Sequence, residues 1–237
     1  MLKKQFLVWN HKNMNVIFKI AFTGLMLAVS IVFSIIGSFI PFNSFLSFNF
    51  LLISAFLTAF IIDIQYSLIM LISNFLISPF ITIKSTTLDI AFLGNFILLL
   101  MQSIFVFSSY LFGKLLWKSK LKKELSILVI LAISSLVTIA IITFLNTFLF
   151  NLIYFKLFKQ LDAVSLNELL ANYDKKFKIF FFGIPNYFAG SVALYLSFNL
   201  SNIAINYFII YIFIFTLSKT KFLDNILNNF TVNKCDS

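Results

Sequence analysis

Apolar residues run along this chain in six long blocks separated by short polar breaks, and that spacing predicts an all-α protein built from membrane-spanning helices. The blocks are Val16 to Ile40, Ser47 to Ile62, Ile64 to Ile83, Ile90 to Gly113, Leu125 to Phe155 and Phe188 to Leu217. About 20 apolar residues at 1.5 Å each cross the hydrocarbon core of a bilayer, so each block predicts one span. The second and third are separate, because a single helix over both would reach about 54 Å, nearly twice that core. Asp63, beside Gln65, marks the tight turn between them. With no internal repeat, residues 1–237 read as a single membrane domain.

Composition agrees, with 61% hydrophobic and only 11% charged residues, too few to coat a soluble globule. The apolar run after the basic leader (1–15) is too long for a cleaved signal, and no small-x-small site follows Ile40. The leader is therefore expected to stay attached through the first helix. Twelve Lys fall on one side of a six-span topology: Lys3, Lys4, Lys12, Lys19, the Lys114 to Lys123 loop and the 218–237 tail. Six fall on the other, Lys84 and five in the 156–187 loop, where Asp162, Glu168 and Asp174 offset them. By the positive-inside rule both termini are expected in the cytoplasm and the protein in the cell membrane. The net charge of +10 is then read as orientation and attraction to anionic lipid rather than to nucleic acid. Arg is absent while Phe, Ile and Asn are inflated, the mark of an A/T-rich genome, so most of the 34 Phe read as lipid-facing filler.

Missing chemistry narrows the function. The single histidine, His11, precedes the first span, no Gly-x-Ser-x-Gly pattern occurs, and no cluster of metal-ligating residues lies within the blocks. Gly113-Lys114 lacks the remainder of a phosphate-cradling loop. Cys235 gives neither a disulfide nor a prenylation box. No catalytic residue, metal or cofactor is expected, the chain is not read as an enzyme, and any ATP-driven work must come from another subunit.

Polar residues inside the blocks fall in stripes. Asn95, Gln102 and Ser109 recur every seven residues, Ser67, Asn74 and Ser78 fall within about 40° of one another, and Tyr195, Asn199, Asn202 and Asn206 share one face. The fifth block adds Ser135, Thr138 and Asn146. Such stripes serve as hydrogen-bonding glue between helices or line a site. In the second case the outer halves of the helices present Asn95, Asn146, Asn186, Tyr187 and Tyr195, and the first outer link adds Asn43, Ser44 and Asn49. Lys84 and Asp89 stand near the outer mouth, either to meet a charged group or as a solvated loop pair.

Small residues form ladders as well. Gly24 and Ala28 are spaced for close approach of a helix, within the chain or from a partner subunit. Ala189, Ala193, Ser197 and Ser201 lie about 170° from the Asn stripe of the last block, which predicts a central helix covered on two faces. The outer 156–187 segment carries Ser165-Leu166-Asn167-Glu168, a capping-box pattern that predicts a short amphipathic helix, as a lid or as an interfacial spacer.

The run Lys19-Ile20-Ala21-Phe22-Thr23-Gly24-Leu25-Met26-Leu27-Ala28-Val29-Ser30, then Ile40-Pro41-Phe42, the Asp63-Ile64-Gln65-Tyr66 junction and Leu93-Gly94-Asn95-Phe96-Ile97-Leu98-Leu99-Leu100 resemble the S components of energy-coupling-factor (ECF) vitamin transporters. The resemblance implies a six-helix bundle that captures a vitamin or related nutrient on the outer side. It also implies that small residues, here Gly24 and Ala28, contact a transmembrane T subunit driven by two cytoplasmic ATPases. A structural or assembly protein without a ligand and a self-sufficient secondary transporter stay open as alternatives.

Overall fold

A computed structural model describes residues 14–43, 46–81, 87–116 and 123–219. Lys84, Ser44, most of the basic leader, the 117–122 loop and the 220–237 tail lie outside the described residues. The chain forms α1 (Val16–Ser38), α2 (Leu51–Ile61), α3 (Ile64–Ile81), α4 (Leu88–Leu116), α5 (Lys123–Leu145), α6 (Asn151–Leu157), α7 (Leu166–Asn172) and α8 (Tyr187–Lys219). Among the described residues there is no β-strand; Pro41 and Ser47 form an isolated antiparallel bridge. Five helices are long and apolar enough to cross a membrane: α1, α3, α4, the continuous Leu125–Leu157 rod and α8. The protein is an all-helical, multi-pass membrane bundle.

The second block departs from expectation. Only Leu51–Ile61 is helical, about 16 Å of rise and half a hydrocarbon core. The side chain of Asn49 stops the helix from starting earlier, because its Oδ1 accepts the N–H of Leu51 at 2.9 Å in competition with helical pairing. Every residue of α2 is 5% exposed or less, so this short helix is the centre of the bundle. The expectation that α8 is central is corrected accordingly. Its buried side chains, among them Leu194, Asn202, Asn206 and Ile210, share one face, while Ala189 is exposed and Ala193, Ser197 and Ser201 are half-exposed.

Polar stripes elsewhere join helices. Asn74 Oδ1 accepts from Ser30 Oγ of α1 at 3.0 Å and from Ser78 Oγ at 3.1 Å, and Ser67 Oγ donates to the Ala55 carbonyl of α2 at 2.7 Å. In lipid such contacts each contribute about 0.6 kcal/mol, and they set which faces meet. Asp63 closes the α2–α3 turn, its Oδ1 accepting the Ile64 N–H at 2.6 Å. Gly24 and Ala28 are both exposed, and a Cβ on Gly24 would meet nothing within 4 Å, so neither is covered by the other described residues.

Residues 158–186 form a cap joined to the bundle by a shared apolar cluster. Leu161, Leu169, Tyr173, Phe177 and Phe181 pack with Leu152 and Phe155 of α6 and with Tyr187, Leu194 and Tyr195 of α8. Gly190 permits this contact, since a Cβ there would sit 2.8 Å from the Tyr173 hydroxyl and 2.9 Å from Phe181 Cβ. Half of the capping box forms: Ser165 Oγ accepts the Glu168 N–H at 3.4 Å, but the Glu168 carboxylate reaches past Ser165 to accept the N–H groups of Asp162 and Ala163 at 2.7 and 3.1 Å.

Candidate functional site: an amide-lined cavity

A cavity of about 250 Å³ lies at the end of the bundle where α1 finishes and α4 and α8 begin. Its wall is made by Ser34 and Ser38 of α1, the 46–49 segment, the first half of α4, the region around Asn146, and Tyr195 to Asn202 of α8. Two backbone irregularities shape it. One is the extended entry to α2, which crosses the bundle beside α1 at Gly37, where any Cβ would collide with the Phe48 carbonyl.

That entry exposes backbone groups that lipid cannot satisfy. The N–H of Asn49 donates to Asn202 Oδ1 at 2.9 Å, and the Asn49 carbonyl accepts from Asn206 Nδ2 at 2.8 Å. Gln102 Nε2 of α4 reaches Asn49 Oδ1 at 3.5 Å. The α8 amides thus do the work a neighbouring strand would do, while the α4 amide holds the Asn49 side chain.

The second irregularity is a π-helical turn, Asn146–Phe150, inside the Leu125–Leu157 rod. Such turns insert a residue into the helical ladder and redirect side chains. Here the Tyr187 hydroxyl donates to the Thr147 carbonyl, Thr147 Oγ1 pairs with Ser191 Oγ at 2.9 Å, and Asn151 Nδ2 donates to Tyr187 and Ser191 at 3.1 and 3.2 Å. The Tyr195 hydroxyl closes the network on Asn151 Oδ1. Asn146, on the same turn, is 5% exposed and lines the cavity, and its side-chain amide makes no hydrogen bond to any described residue.

Of the residues singled out from the sequence, Asn49, Asn95, Asn146 and Tyr195 line the cavity. Asn43 does not: its Oδ1 accepts the Leu46 N–H at 2.7 Å and shapes the turn after α1. Asn186 is exposed and caps α8, accepting the Ala189 N–H at 3.0 Å. Tyr187 is buried in the α6–α8 network, away from the cavity wall. Asp89 is exposed in the first turn of α4. No residue of 158–186 lines the cavity either.

Sequence reasoning left Ser34, Tyr154, Asn199 and Asn202 off the candidate set. The two Asn share the stripe that carries Tyr195, a signal that was there to use. Tyr154 had none, because it enters only through the π turn and through Gly94, where a Cβ would approach its hydroxyl to 3.1 Å. No charged side chain lines the cavity among the described residues. Nor, among them, do three His, Cys, Asp or Glu come together as metal ligands do.

The chain is similar to an uncharacterized protein of Mycoplasma pneumoniae, the MG350.1 homolog, at 28% identity over 196 residues, covering 81% of this chain and 83% of that one. No family model and no solved structure matches it.

Proposed function

We propose that this chain is the substrate-capture subunit of an ECF-type importer: a non-enzymatic receptor in the cell membrane that binds a vitamin-like nutrient from outside. A T subunit and cytoplasmic ATPases would drive its transport. The observation that carries this reading is Asn146, an unpartnered amide held nine-tenths buried in the wall of a cavity that is otherwise mostly apolar. Its amide atoms open to the cavity rather than to the protein interior, so a ligand there can take both their hydrogen bonds. Six crossings are part of the proposal. The three residues before Phe50 at up to about 3.3 Å each and eleven helical ones at 1.5 Å reach at most about 26 Å, a few ångström short of a 30 Å core, so the second crossing is the shortest of the six. With the Lys bias setting both termini in the cytoplasm, the cavity lies in the outer half.

The exposed Gly24 and Ala28, with open space beside Gly24, suit a helix of the T subunit. The test is purification of the chain from its own membranes, with mass spectrometry for a bound small molecule and for co-purifying T and ATPase subunits. A specific small molecule together with those subunits supports the reading. A bare, partnerless protein overturns it in favour of a structural role, which the Asn49–Asn202–Asn206 and Ser30–Asn74 bonds would serve equally well.

A further inference from the structure

The geometry points to a ligand class for this cavity: a small, flat, uncharged heterocycle of one or two rings that presents an N–H beside a C=O, with Asn146 reading that edge. The inference rests on the capture reading above and narrows it. It starts from which amide ends are already committed. Asn202 Oδ1 is tied to the Asn49 backbone N–H, so its orientation is fixed and its Nδ2 is left as a donor without a protein partner. Asn95 Nδ2 donates to the Ala91 carbonyl at 2.9 Å, which leaves Oδ1 as an acceptor. Asn146 has both ends free. Asn49 Oδ1 is held by the Leu51 N–H and Asn199 Nδ2 by Thr143 Oγ1, so the wall supplies two fixed donors, Asn202 and Asn49 Nδ2, two fixed acceptors, Asn95 and Asn199 Oδ1, and one whole amide.

An amide with both ends free pairs with a cis-amide edge through two hydrogen bonds, as Asn does with a base edge that offers both a donor and an acceptor. A carboxylate has no N–H to give Asn95, and among the described residues nothing in the wall offers it a cation. Burying it would carry a large desolvation cost. Size agrees, since a cavity of about 150 Å³ holds benzene and the one here, about 250 Å³, suits one or two fused rings. Phe48 and Phe198, with ring centroids 6.1 Å apart, supply an aromatic surface for a flat ring.

The test uses the full chain in detergent, with thermal unfolding read against uracil and hypoxanthine as cis-amide probes. Their ring-N-methylated counterparts and benzoate serve as controls. Uracil or hypoxanthine should raise the melting temperature in a concentration-dependent way, while N-methylated probes and benzoate should not. Asn146→Leu should weaken that binding roughly tenfold or more. It should leave the melting temperature without probe unchanged or higher, because no protein group loses a partner. Asn146→Ser provides a second variant of smaller volume.

A bound natural small molecule that is charged, or equal stabilisation by benzoate, would overturn the ligand class while leaving the capture function standing. Binding of the cis-amide probes that survives both Asn146 variants unchanged would overturn the role of Asn146. No stabilisation by any probe and no natural ligand on the purified chain would remove both the inference and the capture reading.

Discussion

The backbone N–H of Asn49 donates to the side chain of Asn202 across 153 positions of sequence, at 2.9 Å. This bond ties the extended entry of α2 to α8 and forms one wall of the cavity. Non-helical backbone at membrane depth persists only where protein satisfies it. Asn202 and Asn206 are thus the condition for α2 starting at Leu51 rather than at the cavity rim.

Removing that acceptor should destabilise the fold. Asn202→Leu leaves the Asn49 N–H buried without a partner, a cost of about 1–3 kcal/mol. The expected outcome is a clear fall in melting temperature in detergent, larger than that of Leu200→Ala on the exposed face of the same helix. Equal effects would show that Asn202 does no bracing.

Two glycines of α1 should respond in opposite ways. At Gly37 a Cβ would strike the Phe48 carbonyl and come within 3.3 Å of Asn49 Cα, so Gly37→Ala forces the entry segment to shift at a cost of about 1–3 kcal/mol. At Gly24 there is open space inside a helix, so Gly24→Leu should leave stability unchanged or raise it by up to about 1 kcal/mol. If Gly24 faces a T subunit, nutrient uptake by cells should nonetheless be lost in Gly24→Leu while ligand affinity of the purified chain is kept. Unimpaired uptake would remove that contact.

Tyr187 should separate bracing from binding. Its hydroxyl bonds Thr147 and Asn151 but does not reach the cavity wall. Tyr187→Phe is expected to lower stability by about 1 kcal/mol and to leave ligand-induced stabilisation unchanged. A lost ligand response with unchanged stability would place Tyr187 in the site after all.

The apolar blocks made the helices legible because lipid allows few alternatives for a run of 20 apolar residues. What they hid was the break at Asn49. Ser47 to Phe50 are apolar enough to pass for helix, and only the Asn202 and Asn206 amides, 150 residues away, make the extended path satisfiable. The cavity was half legible for a related reason. Asn95, Asn146 and Tyr195 lie on stripes that hydropathy exposes, but a stripe does not say whether an amide faces a neighbour or a space. Asn74 faces Ser30, whereas Asn146 faces the cavity. The π turn that turns Asn146 toward it has no sequence period at all.

Orientation has a direct test through the chain's single cysteine, Cys235. A membrane-impermeant maleimide should label it only after cells are permeabilised. In a Cys235→Ser background, Ile179→Cys on the cap, 81% exposed, should label in intact cells. The reverse pattern would invert the topology and turn the cavity toward the cytoplasm.

The cap should loosen in acid through one carboxylate. The Asp162 N–H, joined by that of Ala163 and by the nearby Lys156 and Lys176, holds the Glu168 carboxyl below its ordinary value, which for glutamate is about 4.3. A carboxylate lowered on folding contributes stability that is fully present above its unfolded pKa and is lost as pH falls through the folded one. Local opening of the cap should therefore rise as the medium is taken below about pH 4. Amide hydrogen exchange at Asp162 and Ala163, normalised to the chemical rate at each pH, measures this. Glu168→Gln keeps one acceptor but cannot titrate, so its protection at these amides should be flat across the same range. An identical acid limb in that variant would assign the opening to another group.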